Sequence, residues 1–377
     1  MKKKKQHSFK KWIGRLHLWL GLSSGIIVFI VALTGCIFVF HDELKDLAYD
    51  WRKVELQHKQ FAKPSEIQQK IKQFYPEADA SMVVYQNRER PAQVFTNING
   101  VPHQLYFNPY SAELVHVQNL EEDFFSLIED LHMHLLLPEQ TGKQVVGIST
   151  IVFVLMLISG IILWWPKKKK HISKNFSIKW NARWRRINYD WHRVTGIYIS
   201  IIALLIALTG LGICYEWMHE SFYAVGNLWQ DRPEDQVSET ITNSGALNPA
   251  AVDSAFLQTK NLMPQSGMLF VWQQSPEKPI VTGAYPESLE FDHQSNFYFH
   301  PGSGKLLQSK LYSEKSRGLK LQEMNYGLHT GQYLGLAGKI IAFTVSLFVA
   351  GLPVSGCMIW WGRRNKKKKK TAKPVLA

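Results

Sequence analysis

Four stretches of this chain contain no Asp, Glu, Lys or Arg over the length that a helix needs to cross a lipid bilayer. These stretches are residues 16–40, 144–165, 194–215 and 340–361. About 20 apolar residues suffice, because a helix rises about 1.5 Å per residue. Two long polar segments, residues 41–143 and 216–339, separate them. The sequence therefore predicts an integral membrane protein with four spans and two insertions outside the bilayer.

Basic residues concentrate next to the spans. Residues 1–15, 166–193 and 362–377 hold 25 of the 44 Lys and Arg residues, and Asp190 is the only acid in these segments. Positively charged flanks stay on the cytoplasmic side, so we expect both termini and the middle loop in the cytoplasm and both insertions outside. The net charge of +14 then reflects topology, and we expect no nucleic-acid partner.

Each insertion has the pattern of one helix followed by four strands. In the first, residues 63–74 have helical spacing, with Ser65 as the expected N-cap, and alternating stretches follow as far as Val115. In the second, residues 248–257 have helical spacing and alternating stretches continue to Leu307. A helix laid on a small antiparallel sheet fits both segments, so we expect two α+β domains.

Several motifs occur twice at nearly constant spacing. The recurring motifs are His17 with His192, Thr34-Gly35 with Thr209-Gly210, and Ser159-Gly160 with Ser355-Gly356. The first two recur at an offset of 175 residues, and the last recurs at an offset of 196 residues. We infer a duplication in which each half is a span, an outer domain and a second span. Residues that occur in both halves can then meet near the axis that relates them.

Histidine is the metal-binding residue type that the repeat preserves. His17 matches His192 at the inner side, and His132 matches His329 at the outer side. An ionisable residue within a span indicates a functional site. Two neutral imidazoles from facing helices are the usual axial ligands of a b-type haem, and two such pairs would form an electron path across the membrane.

Other interpretations of these histidines remain open. Zinc prefers four ligands, often with cysteine, and neither pair has a cysteine. The imidazoles would otherwise only form hydrogen bonds between helices, and the glycines beside them would serve equally well for helix packing. His134 is an alternative to His132 as the outer ligand, because the two lie in one Leu-His-Met-His motif.

The predicted outer pair requires a particular course of the chain before the second and fourth spans. His132 and His329 come about three helical turns before Lys143 and Lys339, which precede the spans. A straight helix would hold these histidines about 15 Å beyond the hydrocarbon edge. The chain must therefore bend before each span, and the residues suited to a bend are Pro138, Gly142 and the glycines from Gly331 to Gly338.

The ordered set of motifs resembles the PepSY-associated transmembrane helix family. The motifs are Leu16 to Gly21, Thr34-Gly35, Leu131-His132, Ser159 to Pro166, Trp191 to Gly196, Leu328 to Gly331 and Ser355 to Trp361. The resemblance covers nearly the whole chain. The iron-regulated members of this family include ferric-siderophore reductases of the bacterial inner membrane.

The resemblance implies a membrane all-α four-helix bundle, made of two repeats of span, outer domain and span, with two α+β PepSY-like periplasmic domains. The expected segments are 1–15 (cytoplasmic), 16–40 (span), 41–143 (periplasmic), 144–165 (span), 166–193 (cytoplasmic), 194–215 (span), 216–339 (periplasmic), 340–361 (span) and 362–377 (cytoplasmic). It also implies two haem b groups, with His17 and His192 as the axial ligands of one and His132 and His329 as those of the other.

The expected reaction passes electrons from a cytoplasmic or quinol donor to a ferric siderophore in the periplasm and releases Fe(II). We expect no acid–base catalytic residue, and the chelate would contact Arg317, Lys320, Tyr326 and Tyr333. The alternative is a non-enzymatic membrane protein, because PepSY-type domains are also associated with peptidase regulation and partner binding.

Overall fold

The computed structural model describes residues 2–78, 80–166, 172–235 and 248–371. The chain forms two compact units. The membrane unit comprises the chain up to residue 39, residues 128–218 and the chain from residue 328 onward. The sheet unit comprises residues 40–127 and 219–327.

The described residues form helices and one antiparallel sheet. The helices are α1 (Lys2–Val39), α2 (His41–Ala48), α3 (Pro64–Phe74), α4 (Phe124–His134), α5 (Glu139–Trp164), α6 (Ile172–Asn175), α7 (Trp184–Cys214), α8 (Glu216–Gly226), α9 (Pro249–Leu262), α10 (Arg317–Glu323), α11 (Asn325–Thr330) and α12 (Gly335–Thr371). The strands are β1 (Met82–Tyr85), β2 (Ala92–Ile98), β3 (Val101–Phe107), β4 (Leu114–Asn119), β5 (Met268–Trp272), β6 (Ile280–Tyr285), β7 (Ser295–Phe299) and β8 (Leu306–Lys310).

Four helices of the membrane unit are long and apolar enough to cross a membrane. They cover Phe9–Val39, Glu139–Trp164, Trp184–Cys214 and Gln332–Arg364. Each covers one of the four uncharged stretches to within one residue, so the prediction of four helices that could cross a membrane is confirmed. Helices α1 and α12 continue past the uncharged stretches into the basic segments.

The four long helices pack around one apolar core. Helices α1 and α7 each pack against both α5 and α12. The core residues are Val28, Phe153, Leu157, Ile199, Ala203, Ala207, Val345 and Val349. Ile199, Ala203 and Ala207 recur every fourth residue and so lie on one face of α7. The small side chains of the two alanines let the neighbouring helices approach closely.

The two insertions build a single sheet with the order β4-β3-β2-β1-β5-β6-β7-β8. Strands β1 and β5 pair antiparallel, with Val83 opposite Val271, and join the two four-stranded halves. Helices α3 and α9 pack together, and residues of both belong to the main hydrophobic core with the sheet. The sequence led us to expect two separate domains. In a separate domain, the first strand of each half would have one unpaired edge. Here β1 and β5 pair along these edges and satisfy each other's backbone hydrogen bonds.

Helix α3 has a different cap from the one predicted. Its N-cap is Lys63, which makes no side-chain capping bond, and Pro64 occupies the first turn. Ser65 therefore lies inside the helix. Its N–H donates to Asp253 of α9 at 3.0 Å, and its hydroxyl donates to the same carboxylate at 2.6 Å. The side chain that caps α3 thus comes from the other half of the chain.

The chain bends before α5 and before α12. After α4, Leu135 and Leu136 both have a φ of 57°, and Pro138 is the N-cap of α5. At the start of α12, Gly331 and Gly335 have φ values of 83° and 57°. Positive φ values occur at tight turns and favour glycine, although Leu135 and Leu136 adopt them here as well. The bends that the outer histidines required are therefore present, and they direct His132 and His329 back towards the long helices.

Candidate functional site

Two histidine pairs lie inside the membrane unit. In the first pair, His17 of α1 faces His192 of α7, with ring centroids 6.4 Å apart and planes at 88°. In the second pair, His132 of α4 faces His329 of α11, with centroids 6.1 Å apart and planes at 61°. The structure thus brings together the four histidines that the sequence singled out, in the two combinations that the repeat indicated.

Each ring of the first pair is held by a serine from a neighbouring span. The Nδ1 of His17 lies 2.8 Å from Ser159 Oγ of α5, and the Nδ1 of His192 lies 2.8 Å from Ser355 Oγ of α12. Each serine hydroxyl also donates to a main-chain oxygen three residues earlier, at 3.0 Å for Ser159 and 2.9 Å for Ser355. The hydroxyl proton is thereby used, so the serine oxygen accepts from the imidazole N–H.

Each ring of the second pair is held by the backbone of a span. The Nδ1 of His132 lies 2.9 Å from Val31 O, and the Nδ1 of His329 lies 2.9 Å from Ile206 O. The hydroxyls of Thr34 and Thr209 lie farther away, each at 3.2 Å. A carbonyl oxygen can only accept, so both rings carry their proton on Nδ1.

The four rings therefore share one tautomer, assigned from their hydrogen bonds. Each turns Nε2, with its lone pair, away from the Nδ1 acceptor, and no described residue forms a hydrogen bond to the Nε2 of any of the four. A neutral imidazole with a free Nε2 is the form that binds a metal. All four histidines are half-buried.

The donor set fits a metal that needs only two protein ligands. A metal takes an imidazole nitrogen at about 2 Å, so two rings that share one metal have their centres roughly 6 Å apart. The two observed separations agree with that value. In the described parts of the chain, no group of three or more His, Cys, Asp or Glu residues could hold a metal ion. Haem iron, which takes its other four ligands from the porphyrin, matches two imidazoles and no further protein ligand.

A glycine lies against the Cε1 edge of each ring. A Cβ built on Gly210 would lie 2.9 Å from Cε1 of His329, and one on Gly35 would lie 3.2 Å from Cε1 of His132. At Gly160 and Gly356 the corresponding distances, to His17 and His192, are both 3.5 Å. Each imidazole is thus bordered by a hydroxyl residue and the glycine that follows it. We call these four dipeptides, Thr34-Gly35, Ser159-Gly160, Thr209-Gly210 and Ser355-Gly356, the hydroxyl–glycine cradles.

Sequence reasoning did not assign the cradles a role. Their recurrence was visible as Thr-Gly and Ser-Gly motifs, but that pattern does not say which helix face meets a histidine. In other Ser-Gly and Thr-Gly dipeptides the glycine meets a different neighbour: a Cβ on Gly25 would lie 3.3 Å from Pro353, and one on Gly196 would lie 4.0 Å from Leu352.

The other histidines named from the sequence lie elsewhere. His134 directs Nδ1 to Asp130 at 2.8 Å, one turn earlier on its own helix. His41 lies 3.3 Å from Asp42, and His219 is hydrogen-bonded by Gln322 at 2.9 Å. Neither pair includes any of these three residues.

The residues expected to receive a chelate are involved in contacts of their own. Lys320 donates to Ser313 O at 3.1 Å and lies over the ring of Tyr312. Tyr326 packs edge-on against Phe291, with ring centroids 5.7 Å apart.

The sheet unit contains a buried ion pair between Lys315 and Glu323, the last residue of α10. Lys315 is 4% exposed, and its Nζ donates to Glu323 at 2.6 Å and to Asn296 at 2.7 Å. Burial lowers the pKa of Lys315 and raises the pKa of Glu323, although each charge favours the other. Desolvation therefore outweighs the mutual attraction for both groups.

The chain matches a known protein family over most of its length. None of the curated proteins matches the chain. A family model described as the PepSY-associated TM region matches residues 14–363, which include all four uncharged stretches, both histidine pairs and the sheet. The chain is therefore a membrane protein of the PepSY-associated transmembrane family.

Proposed function

We propose that the chain is a di-haem b-type oxidoreductase of the bacterial inner membrane that reduces a ferric siderophore and releases Fe(II). His17 with His192 and His132 with His329 would be the axial ligands of the two haems, which supply one-electron transfer when bound. The observation that carries the proposal is the pair of facing imidazoles, found twice, whose Nε2 atoms meet no donor among the described residues.

The separation of the two pairs supports electron passage across the membrane. His17 and Thr34, which lies beside His132, belong to the one continuous helix α1. About five helical turns separate them, and at about 5.4 Å per turn this is roughly 25 Å, close to the hydrocarbon thickness of about 30 Å. The core of the bundle is apolar, with Val28 and Ala203 among its residues.

The remaining parts of the proposal concern sidedness and substrate. The basic segments would lie in the cytoplasm, with both insertions, each a PepSY-like repeat, in the periplasm. The donor would be a cytoplasmic protein or a membrane quinol. The acceptor takes one electron per Fe(III) and needs no proton from the protein, so contacts from Arg317 and Lys320 would serve to bind an anionic chelate and not to catalyse.

The decisive experiment measures haem in the full chain, purified from cells supplied with excess haem precursor. We expect two haems per chain, a low-spin b-type spectrum, reduction by dithionite and reoxidation by a ferric siderophore. His17→Ala and His192→Ala should each remove the same haem, and His132→Ala and His329→Ala the other, because losing either ligand frees the iron. His41→Ala and His219→Ala are matched controls and should keep both haems.

Three results would each contradict part of the proposal. A folded, colourless protein would remove electron transfer and leave partner binding or peptidase regulation by the sheet unit as the alternative function. Two haems in both His17→Ala and His192→Ala would show that this pair is not a ligand pair. Haem binding without reoxidation by any ferric chelate would preserve the cytochrome and exclude the substrate.

A further inference from the structure

The two histidine pairs differ in the group that receives the Nδ1 proton. At the first pair the nearest acceptor is a side-chain hydroxyl, from Ser159 or Ser355, at 2.8 Å. At the second pair it is a main-chain oxygen, of Val31 or Ile206, at 2.9 Å. Within each pair, the two histidines have the same kind of acceptor. The kind of acceptor therefore distinguishes one pair from the other.

The threonines of the second pair, like the serines of the first, donate their hydroxyl protons to main-chain oxygens of their own helix. Thr34 donates to Ile30 O at 2.8 Å, and Thr209 donates to Leu205 O at 2.8 Å. The two pairs differ in the distance from the hydroxyl oxygen to the ring, which is 3.2 Å at the threonines and 2.8 Å at the serines. Each hydroxyl oxygen is a more distant acceptor for the ring than the carbonyl beside it. Removing either hydroxyl therefore leaves the carbonyl that holds the ring, because the carbonyl belongs to the helix backbone.

The serines of the first pair have a different role. Ser159 is 4% exposed and Ser355 is 4% exposed, so water does not replace a missing hydroxyl easily. The main-chain oxygens of Met156 and Leu352 also interact with these rings, but the short contact is the one to serine. Losing the hydroxyl should weaken the orientation of the ring without abolishing it.

We infer that Ser159 and Ser355 are positioning residues for the first histidine pair alone, and that Thr34 and Thr209 are dispensable for orienting the second. Such control over one haem of two presupposes the haem-binding function proposed above. An acceptor at Nδ1 fixes the ring and makes Nε2 a stronger donor, which stabilises the ferric state. The serine hydroxyls would therefore set the reduction potential at one side of the membrane independently of the other.

The test compares Ser159→Ala and Ser355→Ala with Thr34→Val and Thr209→Val in the full chain. Each serine variant should raise the reduced-to-oxidised ratio of one haem by roughly tenfold at a given potential. This corresponds to a rise of about 59 mV in the reduction potential for one electron. It should also lower the affinity for that haem by about 10- to 100-fold. The other haem should keep its potential, which shows that the variant folds. Ser159→Thr, which keeps a hydroxyl, should restore the original potential.

A second measurement separates this inference from the haem proposal. Nitrogen-15 NMR of histidine-labelled protein, made without haem, reports which ring nitrogen carries the proton. We expect the Nδ1–H form at His17 in the original chain, a mixture of both tautomers in Ser159→Ala, and no change at His132 in Thr34→Val. That result would uphold the role of the serines even if the protein bound no haem.

Other outcomes overturn the inference. Equal shifts of both haems in all four variants, or a larger effect of the threonine changes, would show that the hydroxyls do not act on one pair alone. An unchanged His17 tautomer in Ser159→Ala would show that the Met156 carbonyl suffices to hold the ring.

Discussion

The position of the missing Cβ of Gly210 lies 2.9 Å from Cε1 of His329, whereas that of Gly356 lies 3.5 Å from Cε1 of His192. The shorter distance forces the ring to move, and the longer one is an ordinary contact. We therefore expect Gly210→Ala to displace His329 and to lower haem retention at the second pair by about tenfold or more, roughly the cost of a disturbed ligand environment. Haem content per chain, measured on purified protein, checks this.

The matched control is Gly356→Ala, which should keep both haems. Alanine has a higher helix propensity than glycine by about 1 kcal/mol, so this variant should unfold at the same or a higher temperature. If Gly210→Ala keeps both haems and Gly356→Ala loses one, the glycines do not act through contact with the rings.

His132 and His134 provide a second test of the site. They are two residues apart on α4, or about 200° around the helix, so only one of them can face α1. His132 lies on that face, next to Val31 and Thr34, whereas His134 forms a hydrogen bond with Asp130. We expect His132→Ala to lose one haem and His134→Ala to lose none, by absorbance of the reduced protein. Loss of haem only in His134→Ala would reverse the assignment.

The sequence predicted the spans and the residues of both pairs because each depends on a local pattern. An uncharged stretch of sufficient length must be a buried or lipid-facing helix, whatever surrounds it. The recurring motifs then predicted that His17 lies beside His192, since equivalent residues of two repeats can meet near the axis that relates them. Neither prediction required knowledge of how the side chains pack.

Features that depend on packing between distant segments could not be predicted. The pairing of Val83 with Val271 joins strands from different insertions, which α5 and α7 separate along the chain. The alternation of each strand is the same whether or not the two strands pair. The capping of α3 by Asp253 and the approach of the cradles to the rings have the same cause. In each case the sequence showed the residues but not their neighbours.

The ion pair of Lys315 and Glu323 predicts non-additive effects on stability. Lys315→Met leaves Glu323 buried without its partner, and we expect a loss of about 3 kcal/mol in the free energy of unfolding. Lys315→Met combined with Glu323→Leu removes both desolvation costs and should recover most of this loss. Urea unfolding of the detergent-solubilised full chain, followed by tryptophan fluorescence, measures both.

A surface lysine supplies the control for that cycle. Lys305 is exposed, so Lys305→Met should change stability by less than about 0.5 kcal/mol. Strictly additive single changes, with the double variant the least stable, would mean that Lys315 and Glu323 are stabilised by other neighbours and not by each other.

The shifted pKa of the Glu323 carboxyl predicts how the stability of the protein depends on pH. Burial raises the pKa of Glu323 above 4.5, Asp235 raises it further, and Lys315 and Lys310 oppose the shift. Between 4.5 and the raised value, the folded protein keeps a proton that the unfolded chain has lost, so stability falls as the pH rises through this window. Lowering the pH from neutral to 4.5 should therefore favour the original chain over Glu323→Gln, which has no proton to gain in that window. The lowered pKa of Lys315 acts in a separate window, which extends downward from 10.5. Unfolding free energies of both proteins at several pH values check the sign, and a difference that grows in the opposite direction would show that the attraction to Lys315 outweighs burial.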